Sequence, residues 1–193
     1  MDIQSYYNDH KNTSSDINEH LPILHRLAEK IETIVEMGTR NGESTSAFLA
    51  AIEGTSKKLT CYDLYRAPIV EQFTKFSNFS FIQADTLKID IEKADLLFID
   101  TLHTYYQLYS ELVKHSVNIN TYIALHDVVS YGERDEPFYD PNAEVKMSDL
   151  IQQTTKVGLI AAVNDFLATK DGQNWYIGDT YTNNNGLMIL KRK

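Results

Sequence analysis

Runs that are apolar on successive residues, not on alternate ones, recur along this chain between segments of helical periodicity, and Leu96-Leu97-Phe98-Ile99 is the plainest of them. A strand apolar on both sides has to be covered on both, which is the condition of a parallel sheet held between helices. Residues 33–37, 58–62, 79–83, 94–99 and 121–125 read as such strands, and 43–52, 67–76 and 105–115 as the helices among them. The alternation predicts an α/β chain with a Rossmann-like, doubly wound, mostly parallel sheet and helices on both faces. A helix with Leu159, Ile160, Val163, Phe166 and Leu167 on one side follows. The chain then returns to strand over 175–181 and 187–190 around Asn183-Asn184-Asn185-Gly186, which predicts a C-terminal antiparallel hairpin.

Ahead of the first strand, Ile17, Leu21, Leu24, Ala28 and Ile31 recur at helical spacing. The helix is expected to begin near Pro22, because a proline is tolerated in the first turn. Residues 1–16 are polar and punctuated by Asn, Ser and Thr, so they read as a flexible N-terminal arm to a single domain over 17–193. That arm could join two copies into a homodimer. Residues 130–146 are charged, carry two prolines and lack a period, as a binding loop or a solvated excursion would.

The net charge of −9 repels phosphate backbones and anionic lipid, so neither nucleic acid nor membrane is an expected partner. Cys61 is the only cysteine, which rules out an intrachain disulfide and suits a reducing compartment. The first residues lack an apolar run flanked by positive charge, and no stretch of ~18 apolar residues occurs. The cytoplasm is the expected location.

The most informative stretch runs from Ile34 to Phe48: a strand, a loop with Gly38 and Gly42, then a helix. Glycines there let the backbone turn sharply and let a ligand approach it. The phosphate-loop pattern is absent, since Glu43 and not Lys follows Gly42, and the dinucleotide pattern fails at Arg40 and Thr45. What remains is an acid, Glu36, two residues before the first glycine. An acid would repel a pyrophosphate but suits a cationic ligand, such as an amino acid's ammonium group beside a sulfonium. That is the chemistry of S-adenosylmethionine. Gly38, Thr39, Arg40, Asn41, Gly42 and Ser44 would form its bed. Asp63, ending the second strand, would accept hydrogen bonds from the ribose diol, Asp85 would meet the adenine end, and Asp100 would complete the cofactor site. Taken singly, Glu36 could cap a turn, and Asp63 and Asp85 could solvate strand ends.

From about Ile34 to Leu190 the chain resembles the class I methyltransferase superfamily. The order Glu36 to Gly42, Asp63, Phe98-Ile99-Asp100-Thr101-Leu102-His103 and Leu125-His126-Asp127 is similar to the metal-dependent small-molecule O-methyltransferases. It is also similar to the macrolide-sugar O-methyltransferase and cephalosporin-hydroxylase-like branch. The resemblance implies a divalent metal, magnesium or manganese, on Asp100, His126 and Asp127, and His103 as the base that takes the acceptor's proton. The acceptor it implies is a hydroxyl of a small molecule or glycan. Two positions depart from the pattern: His126 stands where an acid is usual, and His103 where a lysine is. An imidazole among the ligands tilts a site from magnesium toward manganese, iron or zinc.

Two other readings of the same residues stay open. His103, His126 and one of Asp100 or Asp127 could form the two-His, one-carboxylate site of a non-haem iron oxygenase or hydroxylase. The fold could also serve as a non-catalytic module for a nucleoside-type ligand. His20, His25 and His115 fall in helical patterns and are expected at the surface, with His10 in the arm. Tyr105, Tyr106 and Tyr109 suit either a substrate cleft or a helix face packed on the sheet.

Overall fold

β1 (Thr33–Met37), β2 (Lys58–Asp63), β3 (Phe79–Gln83), β4 (Ala94–Ile99) and β5 (Ile119–His126) take up the five apolar runs. In the computed structural model, which describes residues 1–137 and 154–193, they pair in parallel. β6 (Trp175–Tyr181) and β7 (Leu187–Arg192) add the antiparallel hairpin, giving one seven-stranded sheet in the order β3-β2-β1-β4-β5-β7-β6. This is the Rossmann-like architecture that the alternation predicts.

The unbroken apolar character of the strands divides by residue parity. Ile34, Leu96 and Phe98 pack on one face with Phe48, Leu24 and Leu21, beneath α2 (Leu21–Ala28) and α3 (Glu43–Ile52). Val35, Leu97 and Ile99 pack on the other with Leu108, Leu112 and Phe166, beneath α5 (Tyr105–His115) and α6 (Leu159–Ala168). Each such side chain, fully removed from water, contributes roughly 1.5–3 kcal/mol. A one-residue slip of β1 or β4 would exchange the two faces, so the register is held from both sides.

Two segments differ from the sequence reading. Residues 3–12 are not a flexible arm: they form α1 (Ile3–Asn12), capped by the Asp2 carboxylate, which accepts from the Gln4 and Ser5 amides. Ile3 and Tyr7, one turn apart, are buried against α3 and α2. The helix expected at 67–76 shortens to α4 (Val70–Phe73), because Val70 and Glu71 donate to the carbonyls of Ala67 and Pro68 in a tightened turn before it. The loop expected at 130–146 is described only as far as 137, where it lacks regular structure; the rest lies outside the described residues. Among the described residues no helix is long and apolar enough to cross a membrane.

Candidate active site

In a doubly wound sheet the strands deliver their following loops to one edge, and the crevice opens where the winding reverses, here between β1 and β4. After β1 the backbone turns through Gly38 (φ 89°), Arg40 (φ 42°) and Gly42 (φ 78°). A Cβ at Gly38 would lie 1.9 Å from the Asp100 carbonyl oxygen, and one at Gly42 would lie 2.4 Å from the Phe73 ring. Only glycine lets this turn close on the end of β4. Asp63 ties the turn: its Oδ2 accepts from the amides of Thr39 (2.8 Å) and Arg40 (3.0 Å), and its Oδ1 from that of Tyr65 (2.9 Å).

The turn lines a small cleft with Asp16, Ile17, Gly38, Thr39, Arg40, Asn41, Glu43, Ser44 and Asp100. Most of the residues expected to bed a cofactor are therefore together. Asp16, at the end of the segment read as an arm, and Ile17, the first residue of the helical pattern that follows it, form a wall for which no local pattern gives a signal. Arg40 is bidentate to Asp16, at 2.8 and 3.2 Å, and Tyr6 Oη donates to the Asn41 carbonyl.

Four expected members do not line the cleft: Gly42 and Asp63, which shape the turn itself, and Glu36 and Asp85. Glu36 is fully buried and turns inward, accepting from the Ser44 and Thr45 hydroxyls and the Cys61 thiol, the latter two at 2.6 and 2.8 Å. Burial drives its carboxyl up to about 7 despite those three donors. Asp85 caps the short 3₁₀ turn Thr86–Lys88, accepting from the Leu87 amide and pairing with Lys88 at 3.0 Å.

Next to the cleft, Asp100, His103 and Asp127 each offer a ligand atom, all within 4.8 Å of one another. His103 Nε2 lies 3.1 Å from Asp100 Oδ1 and 3.0 Å from Asp127 Oδ2. His126 meets the same two carboxylates from the buried side, its Nδ1 3.1 Å from Asp127 and 3.6 Å from Asp100. Asp127 holds a left-handed conformation (φ 60°), uncommon for a residue other than glycine and the kind of strain that collects at working sites. Its Oδ1 and the Nε2 of His126 are buried without a partner among the described residues.

Two features here had no signal in the sequence beyond a charged loop. Glu136 Oε2 pairs with His103 Nδ1 at 2.9 Å, and the Tyr131 ring stacks on the imidazole at 5.0 Å. Burial would depress the pKa of His103, but hydrogen bonds to Asp100, Asp127 and Glu136 outweigh it and push the value up to about 12. For His126 the same contest, won by Asp100 and Asp127, gives about 9. Conversely, Asp127 is drawn down to about 2, against its burial, by bonds from His103 and His126, and Asp100 is lowered by the same two groups.

Two of the other histidines are not at the surface that their helical spacing suggested. His20 and His115 are fully buried. His20 packs edge-on to His126, with ring centroids 5.5 Å apart, and its Nε2 meets the Asn183 carbonyl at 3.0 Å. Tyr105 and Tyr109 stack on each other, and Tyr105 donates to Asp165 of α6 at 2.6 Å, so Tyr105 serves helix packing.

Residues 35–128 match a family described as a methyltransferase domain, a span that takes in the glycine turn, His103, His126, Asp63, Asp100 and Asp127. No curated protein matches the sequence at a significant level. Among solved structures, an S-adenosylhomocysteine-bound methyltransferase from Podospora anserina superposes with a TM-score of 0.65 at 11% identity, covering 100% of this chain and 88% of its own. The 1,6-didemethyltoxoflavin-N1-methyltransferase of Burkholderia thailandensis, bound to its substrate and S-adenosylhomocysteine, gives 0.61 at 14%, covering 100% and 86%. An O-methyltransferase family protein from the same organism gives 0.58 at 10%, covering 99% and 59%. At such identities the likeness is one of fold. The family match lies over the glycine turn and the strand ends, so this chain is similar there to a methyltransferase domain, and its fold is the Rossmann-like fold of the methyltransferases named above.

Proposed function

We propose that this chain transfers the methyl group of S-adenosylmethionine to a hydroxyl oxygen of a small molecule or glycan, with a divalent ion beside the donor. Asp100 carries the reading. It lines the donor cleft with the glycine turn and also belongs to the Asp100, His103 and Asp127 cluster, so donor and acceptor would meet at one residue. Much of the catalysis in such a transfer lies in holding the two reactants close and collinear.

The cluster suits an ion on two counts. Asp127 Oδ1 is a buried oxygen with no partner among the described residues. The charge also balances: three carboxylates (Asp100, Asp127, Glu136) against two imidazolium ions (His103, His126) leave one negative charge. A dication with both imidazoles neutral leaves the same. Asp100 and Asp127 would hold the ion with His126, and it would supply Lewis-acid polarisation of the acceptor oxygen. His103 donates its Nδ1–H to Glu136, which fixes the ring and leaves Nε2 as the nitrogen facing the carboxylates. Once neutral, it takes the acceptor's proton there.

Titration of S-adenosylhomocysteine into the full chain tests the donor half, and a chain that does not bind it refutes the reading. Titration of Mn²⁺ at pH 7, in buffers of different protonation enthalpy, tests the other half. About two protons should leave per ion bound, one from each imidazole; binding without proton release would refute the ion site. Transfer of labelled methyl to catechols and to hydroxylated sugars, with and without Mn²⁺, then identifies the acceptor class. Tight donor binding is not required of an iron oxygenase on the same residues, so the first titration separates that alternative.

A further inference from the structure

One turn of α5 carries a carboxylate into the core, and no cation meets it among the described residues. Glu111 is fully buried, and each of its partners among the described residues is neutral. The Thr86 hydroxyl and the Gln107 amide donate to Oε1 at 2.6 and 2.7 Å, and the Thr101 hydroxyl donates to Oε2 at 2.8 Å. Gln107 also donates to Thr86 Oγ1 at 3.1 Å, which closes the network. Burial drives the Glu111 carboxyl up to about 7 against these bonds, with Asp85 adding to the rise.

A buried carboxylate without a counter-ion is costly, and an apolar side chain on this face of α5 would pack among Leu108 and Leu112 at no such cost. What the carboxylate does is join two loops. Thr86 directly follows Asp85 beyond β3, and Thr101 directly follows Asp100 beyond β4. In the sheet those strands are separated by β2 and β1, so no ladder bond sets the distance between their ends. Glu111 spans it from below, one oxygen to each loop.

We propose that Glu111 is a positioning residue: by holding Thr86 and Thr101 on its two oxygens, it anchors the loop that carries Asp100 to the loop that follows β3, and so fixes the wall that Asp100 gives the donor cleft. The proposal rests on the reading of Asp100 as the residue where donor cleft and ion cluster meet.

Three variants of the full chain test it. Glu111→Leu removes both ties. Glu111→Gln keeps them, its carbonyl accepting from Thr86 and Gln107 and its amide donating to the Thr101 oxygen. Thr101→Val cuts one tie at nearly constant volume, and decides alone should the Leu variant fail to fold. The affinity for S-adenosylhomocysteine is measured by titration, alongside thermal unfolding of each variant. Glu111→Leu and Thr101→Val are expected to bind about tenfold more weakly and Glu111→Gln within about twofold of the parent, although all remain folded at the titration temperature. Equal affinity in the parent, Thr101→Val and any folded Glu111→Leu overturns the proposal, as does a Glu111→Gln variant no better than Glu111→Leu. A parent chain that does not bind S-adenosylhomocysteine overturns the functional reading and this proposal together, whereas binding that ignores all three variants overturns this proposal alone.

Discussion

Glu36 stands two residues before Gly38 and points away from the cleft that its position suggests it should serve. Its carboxyl lies between β1, β2 and α3, with the Ser44 and Thr45 hydroxyls and the Cys61 thiol as its donors. Ser44 itself lines the cleft, so Glu36 reaches the site by orienting the first turn of α3. Cys61, whose thiol is buried and pushed well above its ordinary pKa by that burial, is a donor here and not a nucleophile. The raised Glu36 pKa has a measurable consequence. In the unfolded chain the carboxyl titrates near its ordinary value of 4.5, and burial raises it to about 7 in the folded chain. Between those values only the folded state holds the proton, so the contribution of Glu36 to stability is whole below about 4.5 and is lost as pH rises through about 7. A Glu36→Gln variant has no such proton. Urea unfolding of both proteins from pH 4.5 to 8 should show the parent losing ground to the variant by something on the order of 3 kcal/mol. A difference independent of pH would mean that Glu36 is ionised throughout.

At the scale of elements, the turn between β6 and β7 does more than reverse the chain. Asn184 (φ 47°) accepts from the Glu19 amide at 2.9 Å and donates to the Ser15 carbonyl at 2.7 Å. On its other side the Asn185 carbonyl accepts from the amides of Val129 and Ser130, at 2.9 and 3.1 Å. The hairpin thus clasps the segment holding Asp16 and Ile17 to the stretch that follows Asp127. Asn184→Ala removes two bonds of this clasp, at about 1 kcal/mol each. It should lower the urea midpoint without changing its slope and weaken S-adenosylhomocysteine binding, because Asp16 and Ile17 wall the cleft. An affinity equal to the parent's would show that wall to be indifferent to the clasp. The hairpin and the five parallel strands are legible in the sequence because each depends on local pattern: apolar runs, a two-sided burial, an Asn-rich turn. α1 was not, since only Ile3 and Tyr7 mark its buried side and the Asp2 cap precedes a polar stretch. Nor was the clasp, whose partners Ser15 and Asn184 are 169 residues apart. Asp100, His103, His126 and Asp127 were legible for the opposite reason, each lying at or just past the end of a strand that the pattern locates. Glu136 was not, because nothing in a charged loop marks which acid turns back to an imidazole.

For the whole molecule, the consequence is that the site is assembled from pieces remote in sequence and fastened to one another away from any ligand. The glycine turn is tied to β2 through Asp63, and the β4 loop to α5 through Glu111. The Asp127 stretch is tied to the hairpin through Asn185, and the hairpin to the N-terminal segment through Asn184. A ligand that settles in the cleft should therefore slow opening well beyond the residues it touches, since local opening of any one piece would strain the others. S-adenosylhomocysteine at one hundred times its dissociation constant should add about 2.7 kcal/mol to the stability of the fold, which for a chain of this length raises the melting temperature by roughly 5–10 °C. Hydrogen exchange resolves where that stabilisation goes. Amides of 38–41 should gain protection whatever the coupling, because they line the cleft. Amides of 15–20, 127–131 and 183–186 should gain it too if the clasp transmits binding, and Asn184→Ala should return 127–131 and 183–186 to their ligand-free rates while leaving 38–41 protected. Protection confined to the glycine turn in the parent chain would mean that the pieces open independently and that the cleft is built by the turn alone.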